Sequence, residues 1–468
     1  MLGPALKRSF LLAVILAALV FGGLLTYALQ LTETPDIGNN AGNGVGNSVA
    51  GNAATANNDA APQSLVDAGR YVAVAADCAA CHTTPDGKPF AGGLPLASPI
   101  GNIYSTNITP DKASGIGRYS LKDFDRAIRY GITPEGGTLY PAMPYPSYAR
   151  MTEQDVRALY AYFMHEVTPV SAANRSSDIH WPLSIRWPLA IWRKMYAPAT
   201  AVVPVNLAKY PDPIVARGAY LVQSLGHCGS CHTPRAVTLQ ELSLDESQLT
   251  YLSGGPEIDG WVAVNLRGND GAGLGRMSAQ EIVDLLRSAR NTKSAVIGAP
   301  MADVVTHSMQ NMTEADLQAM AAYLKTLPAS VDNSTHYVPN SDTANALKAG
   351  KESGRGAQLY VDNCAACHRS NGEGSAKVFP SIAGNPTVLA GNPVSLIRLV
   401  LAGSELPSTK TAPSNLGMPG FAWRLSDSEA AQLVNFIRQS WGNSAPATSA
   451  EEVAKVRKTL VVAENNAS

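Results

Sequence analysis

The sequence predicts an all-α protein in which three consecutive, related helical domains follow an N-terminal transmembrane helix and a flexible tether. Three observations carry this. A short glycine and tyrosine pattern recurs three times, each time just ahead of a pair of cysteines. Each of the three units closes on a capping-box sequence followed by an amphipathic run. An apolar run opens the chain and gives way to a stretch of mostly Gly, Asn and Ala.

In chain order, residues 1–36 read as a membrane anchor, with a signal peptide as the alternative. After Lys7 and Arg8, residues 10–29 are interrupted only by Thr26 and the Gly22-Gly23 pair, a length sufficient to cross a bilayer core as one helix. Retention is favoured because Thr26-Tyr27-Ala28-Leu29-Gln30 is a poor cleavage site. The basic pair precedes the run while Glu33 and Asp36 follow it, so either reading sends the body of the chain outward. Residues 37–63 cannot bury apolar surface and read as a flexible linker.

The first domain is expected over residues 64–168, the second over 206–330 and the third over 345–442. Ala68-Gly69-Arg70-Tyr71 precedes Cys78, Arg217-Gly218-Ala219-Tyr220 precedes Cys228, and Arg355-Gly356-Ala357 with Tyr360 precedes Cys364. Thr152-Glu153-Gln154-Asp155, Thr313-Glu314-Ala315-Asp316 and Ser426-Asp427-Ser428-Glu429 then announce a closing helix in each domain. Val156, Leu159, Tyr160 and Phe163 share one face of the first, and Leu317, Met320, Ala321 and Leu324 one face of the second. Ten residues after each cap stand Tyr162, Tyr323 and Phe436. Residues 107–120 and 265–278 match in length, with Gly115/Gly273, Gly117/Gly275 and Arg118/Arg276 in register, so the first two domains are the closer pair. Between them lies a Pro- and Trp-rich connector, 169–205, and residues 443–468 form a C-terminal tail.

All six cysteines fall in one pattern: Cys78-Ala79-Ala80-Cys81-His82, Cys228-Gly229-Ser230-Cys231-His232 and Cys364-Ala365-Ala366-Cys367-His368. Two cysteines on one helical turn can form thioethers to the two vinyl groups of a single haem, and the following histidine then meets the iron. A zinc site would bring two pairs together, and a redox disulfide needs no histidine after it. The motifs thus predict three covalently bound haem c groups, and the three domains are expected to be of the cytochrome c type.

A sixth iron ligand is sought downstream of each motif. Met418, in Leu416-Gly417-Met418-Pro419-Gly420, is the only methionine after Cys367. Met143 in Pro141-Ala142-Met143-Pro144 and Met301 in Ala299-Pro300-Met301 share its setting, a loop flanked by proline and upstream of the cap. Met151 and Met312 align with each other, but Leu425 holds that slot in the third domain; Met164 and Met320 fall inside closing helices. The expected metal ligands are therefore His82 with Met143, His232 with Met301, and His368 with Met418. His165, His180, His227, His307 and His336 read as ordinary surface or packing residues.

The 36 basic and 37 acidic residues leave a formal net charge of −1 without a basic stripe, which argues against nucleic acid as a partner. No glycine fingerprint for nucleotides and no catalytic triad is present, so no catalytic residue is assigned.

With the three motifs, the wording Asp77-Cys78-Ala79-Ala80-Cys81-His82-Thr83 and the segment Tyr104-Ser105-Thr106-Asn107-Ile108-Thr109-Pro110-Asp111, the chain resembles the triheme cytochrome c subunits of bacterial membrane-bound dehydrogenases across residues 64–442. That group includes the alcohol, aldehyde, gluconate, sorbitol and nicotinate dehydrogenase cytochrome subunits. The resemblance implies a non-catalytic electron-transfer subunit. Its partner would be a catalytic subunit of PQQ, molybdopterin or flavin type, alcohol or aldehyde dehydrogenase favoured, with room for a small additional subunit. Its acceptor would be ubiquinone or a terminal oxidase. It would sit at the bacterial inner membrane, in contact with lipid through the single-pass anchor and facing the periplasm. A haem enzyme of peroxidase or thiosulfate-oxidising type, or a cytochrome subunit of a terminal oxidase, is the alternative.

Overall fold

The structure, a computed structural model, describes residues 19–20, 22–28, 63–197, 205, 207–295, 298–331, 336–351 and 354–467. The expected N-terminal transmembrane helix is corrected here. Among the described residues no helix is long and apolar enough to cross a membrane. Residues 19–20 and 22–28 are helical, a stretch well short of the roughly 20 apolar residues a bilayer core demands. The rest of that run and residues 37–62 of the linker lie outside the described residues. The fold class becomes mostly helical domains with, among the described residues, four minimal two-stranded antiparallel ladders.

Two compact units divide the chain: residues 1–72 with 81–204, and residues 73–80 with 205–468. The first unit holds most of the first domain. Its opening helix Gln63–Ala75 meets its closing helix Glu153–His165 at Gly69, where an added Cβ would fall 1.9 Å from the Ala158 carbonyl oxygen and 2.7 Å from the Tyr162 Cβ. The residues expected on one face of the closing helix are placed accordingly: Val156, Leu159 and Phe163 are buried, and Phe163 packs edge-on against Phe90 at 5.2 Å. Tyr160 is half-buried, and its hydroxyl donates to the Tyr119 carbonyl. In the connector, Trp192 packs edge-on against Tyr145 at 6.5 Å while Trp181 is 80% exposed.

In the second unit the same crossing occurs twice. Helix Pro213–Tyr220 crosses Glu314–Thr326 at Gly218, whose added Cβ would lie 1.9 Å from the Ala319 carbonyl oxygen and 2.8 Å from the Tyr323 Cβ. Helix Arg355–Asn363 crosses Asp427–Gln439 at Gly356, whose added Cβ would lie 2.4 Å from the Gln432 oxygen and 2.9 Å from the Phe436 Cβ. The recurring glycine and the aromatic residue ten positions after each cap are thus two sides of one contact. Only a residue without a side chain lets the two backbones approach this closely. Gly218→Ala is expected to destabilise the second domain by about 3 kcal/mol, the upper end of overpacking costs, read by denaturant unfolding; an unchanged midpoint would refute the contact's importance.

Caps and ion pairs lock the same helices. Thr152, Thr313 and Ser426 each accept a hydrogen bond from the backbone N–H three residues on, and Ser426 completes a capping box with Glu429. The Asp316 carboxylate is engaged by two nitrogens of a bidentate Arg217, each at 2.8 Å. In the third domain Arg355 reaches Glu429 in the equivalent way. The Arg355 hydrogen bond, aided by Ser426, holds the Glu429 carboxyl down at about 2 against an ordinary value of 4.5. The unfolded chain therefore binds this proton more readily, so the pair's stabilisation is present above the ordinary value and is lost as pH falls towards 2. Acid unfolding of the parent and of Glu429→Gln should accordingly draw together from pH 4.5 downwards and meet as pH approaches 2, and parallel curves would exclude the pair as a contributor.

The third domain packs Tyr360 against Trp441 at 5.0 Å and Phe436 at 5.4 Å, over a core that includes Ile397, Val400, Leu433 and Val434. Residues 443–468 do not hang free: they contain helix Ala450–Ala467, whose Val453 and Val456 enter this core. Within the second unit the second and third domains meet along polar and stacked contacts. Arg398 lies 5.3 Å over Trp261, the Val262 N–H donates to the Ser395 hydroxyl at 2.9 Å, and Arg276 donates to the Gly384 carbonyl while lying 4.6 Å over the ring of Tyr337 in the segment between the two domains.

Candidate functional site

The first Cys-x-x-Cys-His motif forms the short helix Cys78–His82, and in the other two Cys228 and Cys364 cap the helices Gly229–His232 and Ala365–His368, their carbonyls accepting from the N–H groups of His232 and His368. The geometry places both sulfurs of a pair on one turn and the histidine at its end. No two of the six cysteines are joined in a disulfide. Burial pushes the Cys228 and Cys364 thiols up to about 12, so they stay protonated.

The three histidines share a hydrogen bond to a backbone carbonyl that the spacing of the motif does not reveal. His82 Nδ1 lies 2.6 Å from the Thr106 carbonyl oxygen, His232 Nδ1 2.7 Å from that of Val264, and His368 Nδ1 2.9 Å from that of Pro380. A carbonyl can only accept, so each Nδ1 carries the proton and each Nε2 presents its lone pair. Burial lowers the pKa of all three imidazoles, which keeps them neutral. A neutral imidazole with Nδ1–H tied to a carbonyl is the tautomer that binds a metal through Nε2. The backbone is pinned too, since the carbonyls of His82, His232 and His368 accept from the N–H groups of Gly92, Gly254 and Gly374.

In the first two domains the carbonyl is delivered by the repeated asparagine. Thr106 and Val264 immediately precede Asn107 and Asn265. The Asn107 Oδ1 accepts from the Thr109 N–H at 2.9 Å and that of Asn265 from the Arg267 N–H at 2.8 Å, the same turn in each. Asn107 is buried, and its Nδ2 donates to the Val170 carbonyl at 2.7 Å, fastening the loop to the start of the connector. The segment of residues 104–111 is thus a device for aiming one carbonyl at one histidine. The in-register repeat could have marked Asn107 and Asn265; nothing in the sequence marks Pro380, which approaches from a loop twelve residues after its histidine.

The methionines separate into two groups. Met151, Met277, Met309, Met312 and Met320 are buried in domain cores. Met143, Met301 and Met418 are half-buried, as is Met164 inside the closing helix Glu153–His165. Met143 lies in a turn in which its own N–H donates to the Tyr140 carbonyl and its carbonyl accepts from Tyr145. Met301 departs from the expected loop: it sits in the first turn of helix Ala299–His307, because Pro300 is pre-set for a helix N-terminus. Met418 pairs with Ser404 in the ladder of Ser404–Glu405 and Gly417–Met418. Met195 is exposed.

These residues suit haem c chemically: paired thiols, a neutral histidine with a free Nε2, and a half-buried thioether downstream in each domain. Among the described residues no group of three or more His, Cys, Asp or Glu comes together as a structural zinc site requires. Of the other histidines, His307 bonds its own helix at the Asp303 carbonyl and His336 lies 3.4 Å from Asp270.

The sequence profile of the cytochrome c family matches residues 66–166 and 353–441. The chain is 51% identical over 408 residues to the gluconate 2-dehydrogenase cytochrome c subunit of Pantoea cypripedii, covering 86% of this chain and 92% of the relative. It is 49% identical over 401 residues to the cytochrome c subunit of the alcohol dehydrogenase (quinone) of Gluconobacter oxydans (strain 621H), covering 85% and 83%. Identity to the fructose dehydrogenase cytochrome subunit of Gluconobacter japonicus is 37% over 414 residues, covering 84% and 82%.

Proposed function

The chain belongs to the cytochrome c subunits of membrane-bound dehydrogenases and transfers electrons, and from that premise we propose that it holds three haem c groups and serves a catalytic subunit that oxidises a hydroxyl-bearing small molecule. The observation that carries the haem assignment is the threefold Nδ1 to carbonyl bond behind a cysteine pair. Cys78 and Cys81, Cys228 and Cys231, and Cys364 and Cys367 would supply the thioethers. His82 with Met143, His232 with Met301 and His368 with Met418 would be the axial ligands. When bound, the haems supply the one-electron couples through which electrons pass. The protein's part is to fix the tautomer and angle of each histidine through Thr106, Val264 and Pro380, and to hold each thioether on a proline-braced segment.

The substrate class rests on what the relatives' names share: gluconate, an alcohol and fructose are all oxidised at a carbon bearing a hydroxyl group. Ubiquinone is the proposed acceptor, after the quinone in the names of the alcohol dehydrogenase relatives, and the periplasmic face of the inner membrane is the proposed location, as the resemblance to subunits of membrane-bound dehydrogenases implies. The test is gentle extraction of the native protein, identification of the subunits that copurify, and addition of candidate substrates. A dehydrogenase should accompany the chain, and its alcohol, sugar or sugar-acid substrate should reduce the haem absorption bands. Purification without any dehydrogenase would overturn the assignment.

A further inference from the structure

The second domain reaches into both ligand segments of the third, through five consecutive residues, 290–294. Arg290 is 6% exposed, and one terminal nitrogen of its guanidinium donates to the Ala412 and Ser414 carbonyls, both at 2.9 Å. Those carbonyls belong to the segment that leads into Met418. The other terminal nitrogen points to the Lys377 carbonyl at 3.4 Å, on the loop between His368 and Pro380. Three residues along, the Lys293 carbonyl accepts from the Ser381 N–H at 2.7 Å. The Ser381 N–H and the Pro380 carbonyl are the two ends of one peptide group, and that carbonyl is the one that holds His368 Nδ1.

The segment is itself braced. Asn291 is 1% exposed; its Oδ1 accepts from the Lys293 N–H at 2.8 Å and the Ser294 N–H at 2.6 Å, and its Nδ2 donates to the Glu281 carbonyl at 3.1 Å. The Lys293 carbonyl is therefore aimed at Ser381 by a buried side chain anchored on helix Ala279–Ser288.

We propose that residues 290–294 of the second domain position both axial ligands of the third haem and thereby set its reduction potential. The proposal rests on the assignment of His368 and Met418 as those ligands. Two effects of opposite sign follow. A peptide group that donates at its N–H accepts more strongly at its carbonyl, because hydrogen bonds in a chain polarise one another. A stronger bond to Nδ1–H makes the imidazole a richer donor, which favours the oxidised iron and lowers the potential. Loss of the Lys293 bond should therefore raise it. On the other side, the Arg290 fork steadies the thioether segment, and thioether ligation raises the potential. Loss of Arg290 should lower it.

The experiment uses the full chain carrying its haems, titrated spectroelectrochemically, with the Met–iron charge-transfer band followed alongside. The third haem's wave is identified as the one that Met418→His displaces. Asn291→Ala is expected to move that wave upwards, and Asn291→Asp, which retains the Oδ1 acceptor, to move it less. Arg290→Met is expected to move it downwards and to weaken its charge-transfer band. Arg290→Lys keeps the charge but not the two-carbonyl fork, so the band should stay weakened. A third wave unchanged in Asn291→Ala and Arg290→Met, or a shift confined to the second haem, overturns the proposal. So does full recovery of band and potential in Arg290→Lys, which would assign the effect to charge alone. If Met418→His displaces no wave, the ligand assignment has failed instead; Asn291→Ala then still tests the His368 half. Because Asn291→Asp and Arg290→Lys are the milder changes, they remain informative should the larger ones fail to fold.

Discussion

Replacing Cys364 and Cys367 together by serine is expected to yield a chain that carries two covalent haems in place of three, and the same loss should follow from serine at Cys78 with Cys81 or at Cys228 with Cys231. Each thioether needs a sulfur, and the two sulfurs of a pair stand on one helical turn, so no cysteine of another domain can substitute. Among the three, the third pair should also cost most in stability, because Cys364 lies within the core of Tyr360, Leu359 and Val388. Haem per polypeptide, measured as pyridine haemochrome and as intact mass, decides the matter. A parent that binds only two haems, or a double-serine variant that still binds three, would contradict the assignment.

The second large effect concerns the thioethers. Met143→His, Met301→His and Met418→His should each lower the potential of one haem by an amount on the order of tenths of a volt, within the roughly 0.8 V that axial ligation spans. Conversion of Met151, Met309, Met312 or Met320 to leucine should leave all three potentials in place and cost less than about 1.5 kcal/mol, as volume-conserving swaps in a core do. The contrast is sharp because one set is half-buried and the other packed in cores. Met312→Leu moving a potential while Met301→His moves none would reverse the assignment for the second domain.

The redox chemistry was written in local spacing. A haem edge dictates two residues between its cysteines and a histidine directly after, so the three motifs are legible without any folding. The closing helices were legible for a similar reason: Val156, Leu159 and Phe163 share a face at helical period, and that face is buried. Chain order was enough for both, since each depends on residues within a turn or two of one another. The opening run shows the limit of the same reasoning. An apolar stretch states what a membrane would accept, but no spanning helix appears among the described residues.

What only the tertiary structure decided are the relations between residues far apart in sequence. The glycine of each opening helix and the aromatic of each closing helix were both visible as repeats, yet their meeting, so close that a Cβ added at Gly218 would fall 1.9 Å from the Ala319 oxygen and one at Gly356 2.4 Å from the Gln432 oxygen, depends on two helices crossing. In the second domain Arg217, almost a hundred residues away, grips Asp316, the acid of the capping sequence. The carbonyls of Thr106, Val264 and Pro380 reach their histidines from loops of different length, and no side-chain identity announces a backbone acceptor. The sequence by itself determined which atoms can bond to a haem, because that chemistry is set by residue type and short spacing. Folding decided which tautomer each histidine holds and which domain braces its ligands, because hydrogen bonds of that kind are made by backbone groups brought together only by packing.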